Sequence, residues 1–232
     1  MSDSWLRFWN RPHSIYVNER HLRVHCARVA DDILSVLPRE PALRVLDYGC
    51  GDALEAERIA SRVGRLFLYD AAPAVQARLR QRFGGAATIT VLDDTGLAAL
   101  GEGGFDVIVV FSVVQYVPRA DLPVLIRAWR RRLRAGGSLI LADIIPPEAG
   151  MLADIRSLLA TASANGFLLA ALGGLVTTFF SDYRRLRQRL GFAIYADSEI
   201  EALLTQAGFA PVMQARNLGF HPARRTAIAL AV

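Results

Sequence analysis

The stretch Leu43-Arg44-Val45-Leu46-Asp47-Tyr48-Gly49-Cys50-Gly51-Asp52-Ala53-Leu54 decides the fold. Leu43 to Leu46 reads as a buried strand, and the helix-period pattern from Glu55 to Val63 reads as a helix. Between them, an acid precedes two glycines one residue apart. Glycine lets the backbone turn sharply there and lets a ligand come close to it. The start of the helix offers unpaired N–H groups and the positive end of a dipole, which suit an anionic group. A dinucleotide fingerprint needs a third glycine for close helix packing. Leu54 occupies that position, so an NAD-type site is not expected. Asp47 at the strand end would repel a pyrophosphate and attract an ammonium or sulfonium group.

The pattern repeats outward from this stretch. Leu66 to Tyr69 is a second apolar strand ending in an acid, Asp70, one βαβ unit after Asp47. A carboxylate there can accept two hydrogen bonds from a ribose diol, or it can cap the helix that begins near Pro73. That helix runs through Val75, Leu79 and Phe83 and stops at Gly84-Gly85. Thr88 to Leu92 is a third strand, and Asp93 and Asp94 after it read as a solvated turn. Phe105 to Val110 is a fourth strand leading into Ser112, Gln115 and Tyr116, at the sheet end where open α/β folds bind ligands. The spacing of Leu122, Leu125, Ile126, Trp129 and Leu133 predicts a helix over 119–134. Its arginines read as a solvated face, since no exposed aromatics accompany them as in a nucleic-acid patch. Ser138 to Asp143 is a fifth strand; Asp197 or Ser198 caps a helix through Ala207; Phe209–Met213 and Thr226–Val232 close the sheet.

Val45-Leu46-Asp47-Tyr48-Gly49-Cys50-Gly51 resembles motif I of the class I S-adenosylmethionine-dependent methyltransferases, with Ala53 where that family usually has glycine. The Phe105-Asp106 strand start, the L-x-x-G-G-x-L run from Leu133 and the Y-x-x-x-E-I-x-x-L-L-x-x-A-G-F run from Tyr195 resemble the family too. The likeness covers residues 43–145 and 195–232. It implies a Rossmann-like, seven-stranded αβα sandwich, mostly parallel with one antiparallel strand. It implies S-adenosylmethionine as cofactor, held by a set drawn from Asp47, Gly49, Cys50, Gly51, Asp70, Ala71, Asp93, Asp94, Ser112, Gln115 and Tyr116. Within that set Asp70 would meet the ribose and the 93–94 pair the adenine. The implied activity is methyl transfer to an O, N, S or C nucleophile of a small or lipid-like molecule. The alternative is a non-catalytic cofactor-binding or membrane-surface protein that keeps the fold.

At 232 residues, 53% of them hydrophobic, the chain suits one domain with a sizeable core. It divides into an N-terminal helical cover (1–42), a cofactor-binding core (43–145), a helical cap insertion (146–196), and a last helix and hairpin (197–232). All 27 basic residues are arginines and the net charge is +5, which fits a mildly basic enzyme or an attraction to phosphate. Two cysteines, Cys26 and Cys50, make no disulfide scaffold, and no signal peptide is evident, so a reducing cytoplasm is expected. His21 and His25 share a helix face without a partnering acid or cysteine cluster, so no metal is expected. Many small-molecule members of the family carry N-terminal helices over the active site. Tyr16, His21, His25, Asp143 and His221 are therefore the candidates to accept a proton.

The insertion carries one helix around Met151, Ile155, Leu158 and Leu159, a break at Asn165-Gly166, and an apolar run from Phe167 to Phe180. Fourteen residues are too few to span a bilayer, which needs ~20. A buried cap, a contact in a homodimer and an anionic membrane surface all remain open for this run, with arginines 184, 185, 187 and 189 following it. As a lid it would present Asp182, Tyr183 and Arg184 to the pocket. A small-molecule or lipid-like substrate is expected, and no nucleic acid.

Overall fold

The computed structural model describes residues 3–10, 16–40, 42–179 and 191–232. His13, Asp182, Tyr183 and Arg184 lie outside the described residues. The chain opens with helices α1 (Asp3–Trp9) and α2 (Glu19–Val36), followed by strand β1 (Arg44–Tyr48) and helix α3 (Ala56–Ala60). Then come β2 (Arg65–Tyr69), α4 (Pro73–Phe83), β3 (Ile89–Leu92), α5 (Asp94–Ala99), β4 (Phe105–Phe111), a 3-10 turn (Val114–Tyr116) and α6 (Leu122–Arg132). The rest is β5 (Leu133–Ile144), α7 (Met151–Ala164), α8 (Leu168–Phe179), α9 (Asp197–Gln206), β6 (Phe209–Met213) and β7 (Arg225–Ala231).

These strands form one seven-stranded sheet in the order β3-β2-β1-β4-β5-β7-β6. β1 pairs in parallel with β2 and with β4, and β7 runs antiparallel to both β5 and β6. The fold is thus the expected mostly parallel sandwich with one reversed strand. Buried side chains cover both sheet faces. Phe105, Trp129, Tyr195 and Ile200 lie in one core layer, and Ile33, Ile59, Leu79 and Phe83 in the other. Strands covered on both sides must be apolar throughout, which is why β1, β2 and β4 read as near-continuous aliphatic runs. Strand order reverses between β1 and β4, and the crevice at such a reversal is where α/β sheets bind ligands.

Several boundaries depart from expectation. The first strand runs through Tyr48 rather than stopping at Leu46, and the helix after it is only Ala56–Ala60. The helix expected over 119–134 is Leu122–Arg132, because the chain turns extended at Leu133 to pair with Phe105. Asp93-Asp94 opens a helix, α5, that went unforeseen: the Asp93 carboxylate accepts the Gly96 N–H at 2.8 Å as an N-cap. Neither Asp197 nor Ser198 caps α9; the Glu199 carboxylate accepts the Ala196 N–H at 2.9 Å instead.

The cover is fastened by a residue that helix periodicity alone would not single out. Asp32 is 4% exposed on α2. It accepts from Arg28 (2.7 Å), Arg216 (3.0 Å) and the Gly219 N–H (2.8 Å). Burial favours its protonated form, but these donors outweigh burial and hold its pKa below the ordinary carboxylate value. α2 is thereby pinned to the loop between β6 and β7.

Candidate active site

Among the described residues, three non-glycine residues have positive φ: Ala53 (44°), Ser112 (58°) and Asp143 (61°). They sit just past or at the C-terminal ends of β1, β4 and β5, three adjacent strands. Strained backbone of this kind persists only where its surroundings enforce it, and it clusters at functional sites. Ala53 is also where motif I usually has glycine, so the chain keeps the turn while giving up the residue best suited to it. A53G is expected to raise stability by about 0.5–1 kcal/mol in chemical denaturation, the left-handed strain relieved less the extra freedom of the unfolded chain.

The glycine turn is built for close approach. The N–H groups of Gly49 and Cys50 both donate to the Tyr69 carbonyl, at 2.7 and 3.2 Å, which folds the turn over β2. Gly51 has φ +56°, and a Cβ there would meet nothing within 4 Å, so its outer face is open. Asp70 sits beside it, 8% exposed. Its two oxygens accept the Gly51 N–H (3.1 Å) and the Ala72 N–H (2.8 Å), while its own carbonyl accepts from Gln76 (2.7 Å). Ala71 lies between these anchored positions.

Asp47 is the electrostatic anomaly. Burial, and then the neighbouring Asp70 charge, push its pKa from 3.8 up to about 7. Asp70 is itself raised by burial, partly offset by its N–H donors. Among the described residues no hydrogen bond or ion pair answers the Asp47 carboxyl. Two acids crowded at adjacent strand ends call for a cation. Cys50 is driven the other way from reactivity: burial and then the two acids raise its thiol well above 9, so it stays protonated.

Of the third acidic pair, Asp93 is occupied by its cap and by an ion pair with Arg80 at 2.6 Å, and Asp94 accepts from the Tyr69 hydroxyl at 2.6 Å. Beyond β4, Gln115 (5% exposed) donates to Ser112 at 2.8 Å, and Ser112 donates to Asp143 at 2.6 Å. Gln115 Oε1 is buried and has no hydrogen-bond partner among the described residues. Burial raises the Asp143 pKa, against the opposing pull of Arg224, Ser112 and His221. Tyr116 packs inward, its ring 4.7 Å from Trp5 and 5.3 Å from Trp9, so it anchors α1.

The expected proton acceptors fall into two groups. Tyr16, His21 and His25 form a ring cluster with centroids 5.2–6.4 Å apart. His21 stacks on Phe167 at 5.1 Å, and His25 lies 6.3 Å from both Phe111 and Phe220. α2, the end of β4, the start of the α8 segment and the β6–β7 loop therefore converge on one aromatic box. His21 Nδ1 accepts the Val17 N–H at 3.4 Å. Burial lowers the pKa of both imidazoles to about 4, helped for His21 by the His25 charge, so both are neutral at pH 7. Asp143 and His221 form the second group, linked through Asn217, which donates to the His221 carbonyl (3.2 Å) and accepts the Asp143 N–H (3.2 Å). Phe111, Phe167, Phe220 and the fastening Asp32 were not foreseen as site residues. Each looks like ordinary core or helix polarity until the topology brings them together.

Residues 45–137 match the family model described as "Methyltransferase domain". The chain is 35% identical over 109 residues to the ubiquinone biosynthesis O-methyltransferase of Xanthomonas axonopodis pv. citri, covering 45% of each protein. It thus spans less than half the length of the curated relatives of that name. Among solved structures it is similar to magnesium protoporphyrin IX methyltransferase from Synechocystis with S-adenosylmethionine bound, at TM-score 0.58 and 17% identity over 99% of this chain and 90% of that one. The [4+2]-cyclase SpnF shares the fold at TM-score 0.55 and 18% identity, over 81% of this chain and 58% of that one. Strand order, the open glycine turn and the acids at neighbouring strand ends accompany that match, so the chain shares the fold of these proteins and over residues 45–137 is similar to a methyltransferase domain.

Proposed function

We propose that this protein transfers a methyl group from S-adenosylmethionine to a hydroxyl of a small, largely apolar, aromatic or lipid-like molecule. The observation that carries the proposal is the unneutralised pair Asp47–Asp70 beside the open face of Gly51. Asp47 would pair with the cofactor's positive end, Asp70 would take the ribose hydroxyls, and the turn after β3 would border the adenine. The sulfonium, when bound, supplies a methyl group that is already electrophilic. What remains for the protein is alignment, exclusion of water and removal of one proton.

The aromatic box suits the methyl-accepting molecule. Tyr16, Phe111 and Phe220 border it with aromatic rings, and His25 offers a neutral imidazole that can accept a hydrogen bond from a substrate hydroxyl and hold it in place. The likeness to curated O-methyltransferases supports oxygen as the nucleophile. Asp143, held by Ser112, is the proton-accepting group at the same sheet end. The free thiols Cys26 and Cys50 suit a reducing cytoplasm.

Calorimetry with S-adenosylmethionine and S-adenosylhomocysteine is the first test, with micromolar binding expected for both. Binding of neither discards the proposal. Transfer of tritiated methyl to catechol acids and prenylated phenols is the second. H25Q is expected to lower kcat about 100-fold or more with cofactor affinity unchanged. Cofactor binding without transfer to any hydroxyl would favour a non-methylating role on this fold.

A further inference from the structure

α8 carries a feature that the methyl-transfer site does not use. Leu168 is 39%, Leu169 85% and Leu172 47% exposed, while Ala171 on the other side of the helix and Phe167 just before it are buried. The positions i, i+1 and i+4 place the three leucines together on one outward stripe. No acidic residue occurs from Ile155 through Phe179. Beside the N-terminus of α8 stands Arg20, exposed, its Nε donating to the Asn165 carbonyl at 2.6 Å. Among the described residues Arg20 makes no ion pair, and it stands exposed at the Asn165-Gly166 turn that leads into α8.

From this arrangement we infer that α8 is a docking surface for an anionic lipid membrane. Contiguous exposed leucines on a soluble protein mark a contact site. A second copy of the chain is the less fitting occupant. Three leucines offer on the order of a few hundred Å², whereas a stable dimer buries about 800 Å² per partner. Spanning a bilayer is out of reach for this helix, since none described is long and apolar enough. A short apolar stripe flanked by arginine, on a chain of net charge +5, fits a helix lying in the headgroup plane. The same segment reaches inward, because Phe167 stacks on His21 in the aromatic box. Docking would thus bring the box against the lipid phase, from which a lipid-like molecule could enter. This surface rests on the methyl-transfer proposal for its purpose only, and vesicle binding tests it without turnover.

The experiment is sedimentation of the full chain with phosphatidylcholine vesicles and with vesicles holding about a third phosphatidylglycerol. The chain is expected to bind the anionic vesicles at least ~10-fold more tightly than the neutral ones. L169Q/L172Q, both exposed positions, should lose ~10-fold or more on anionic vesicles, and R20Q a smaller part. Calorimetry with S-adenosylmethionine should be unchanged in all three proteins, which separates this test from that of the cofactor site. Absence of wild-type binding, or equal binding by L169Q/L172Q, overturns the inference. So does a dimer in analytical ultracentrifugation that L169Q/L172Q abolishes, which would assign the stripe to a second copy.

Discussion

D47N is expected to stabilise the free protein and to abolish tight cofactor binding, two effects of opposite sign from one atom. The native pKa of Asp47 is raised from 3.8 to about 7, so the folded state holds a proton that the unfolded state has released. Stability contributed by this group is therefore lost as pH rises from about 4 to about 7 and is flat above. The charged carboxylate costs on the order of 3–4 kcal/mol at pH 8, an upper figure for a partly buried group. Asparagine removes that cost. The melting temperature of D47N should exceed that of the wild type by several degrees at pH 8 and by nothing at pH 4. S-adenosylmethionine affinity should fall about 100-fold at pH 8, since a cationic group would be left facing an amide. In the wild type, affinity should rise with pH through about 7; in D47N it should be flat. A wild-type affinity independent of pH between 5.5 and 8.5 would remove Asp47 from the binding role.

G49A is expected to be the most damaging small substitution in the turn. Gly49 has φ +79°, and a Cβ there would lie 2.4 Å from Val113 Cγ2. Left-handed backbone and overpacking add to about 2–5 kcal/mol. The two causes separate in a double-mutant cycle. V113A removes the clash and leaves the dihedral strain, so G49A and V113A should couple favourably by about 1–3 kcal/mol. Cofactor binding should return only in part, because the turn that presents the Gly51 N–H remains strained. Additive energies in denaturant melts would show that the Val113 contact does not set the glycine requirement.

Much of the fold was legible because its signals are local. Aliphatic runs located β1, β2 and β4, the first two with an acid at their ends, and the glycine turn after β1 identified the crevice. Asp47, Gly51 and Asp70 come together because they are set by strand ends and by hydrogen bonds to near neighbours. Other parts needed the third dimension. Asp93 serves α5 as a cap, a choice settled by what lies three residues on. Phe111, Phe167 and Phe220 become a box only when four distant segments meet. Asp32 on α2 bonds residues 184 and 187 positions away, a separation that no periodicity encodes.

That carboxylate also decides which way ligands can pass. Lifting α2 would uncover a buried charge and strip it of the Arg216 guanidinium and the Gly219 N–H, so the N-terminal side behaves as a bolted wall. The opposite wall is held to α2 by Arg20 on the Asn165 carbonyl and by the stacked Phe167 ring. Parting that hydrogen bond, the ring contact and the packing of Val17 on Phe167 leaves no charge unpaired, whereas lifting α2 leaves the buried Asp32 carboxylate without Arg216. Traffic into the crevice is therefore directed to the leucine-striped flank.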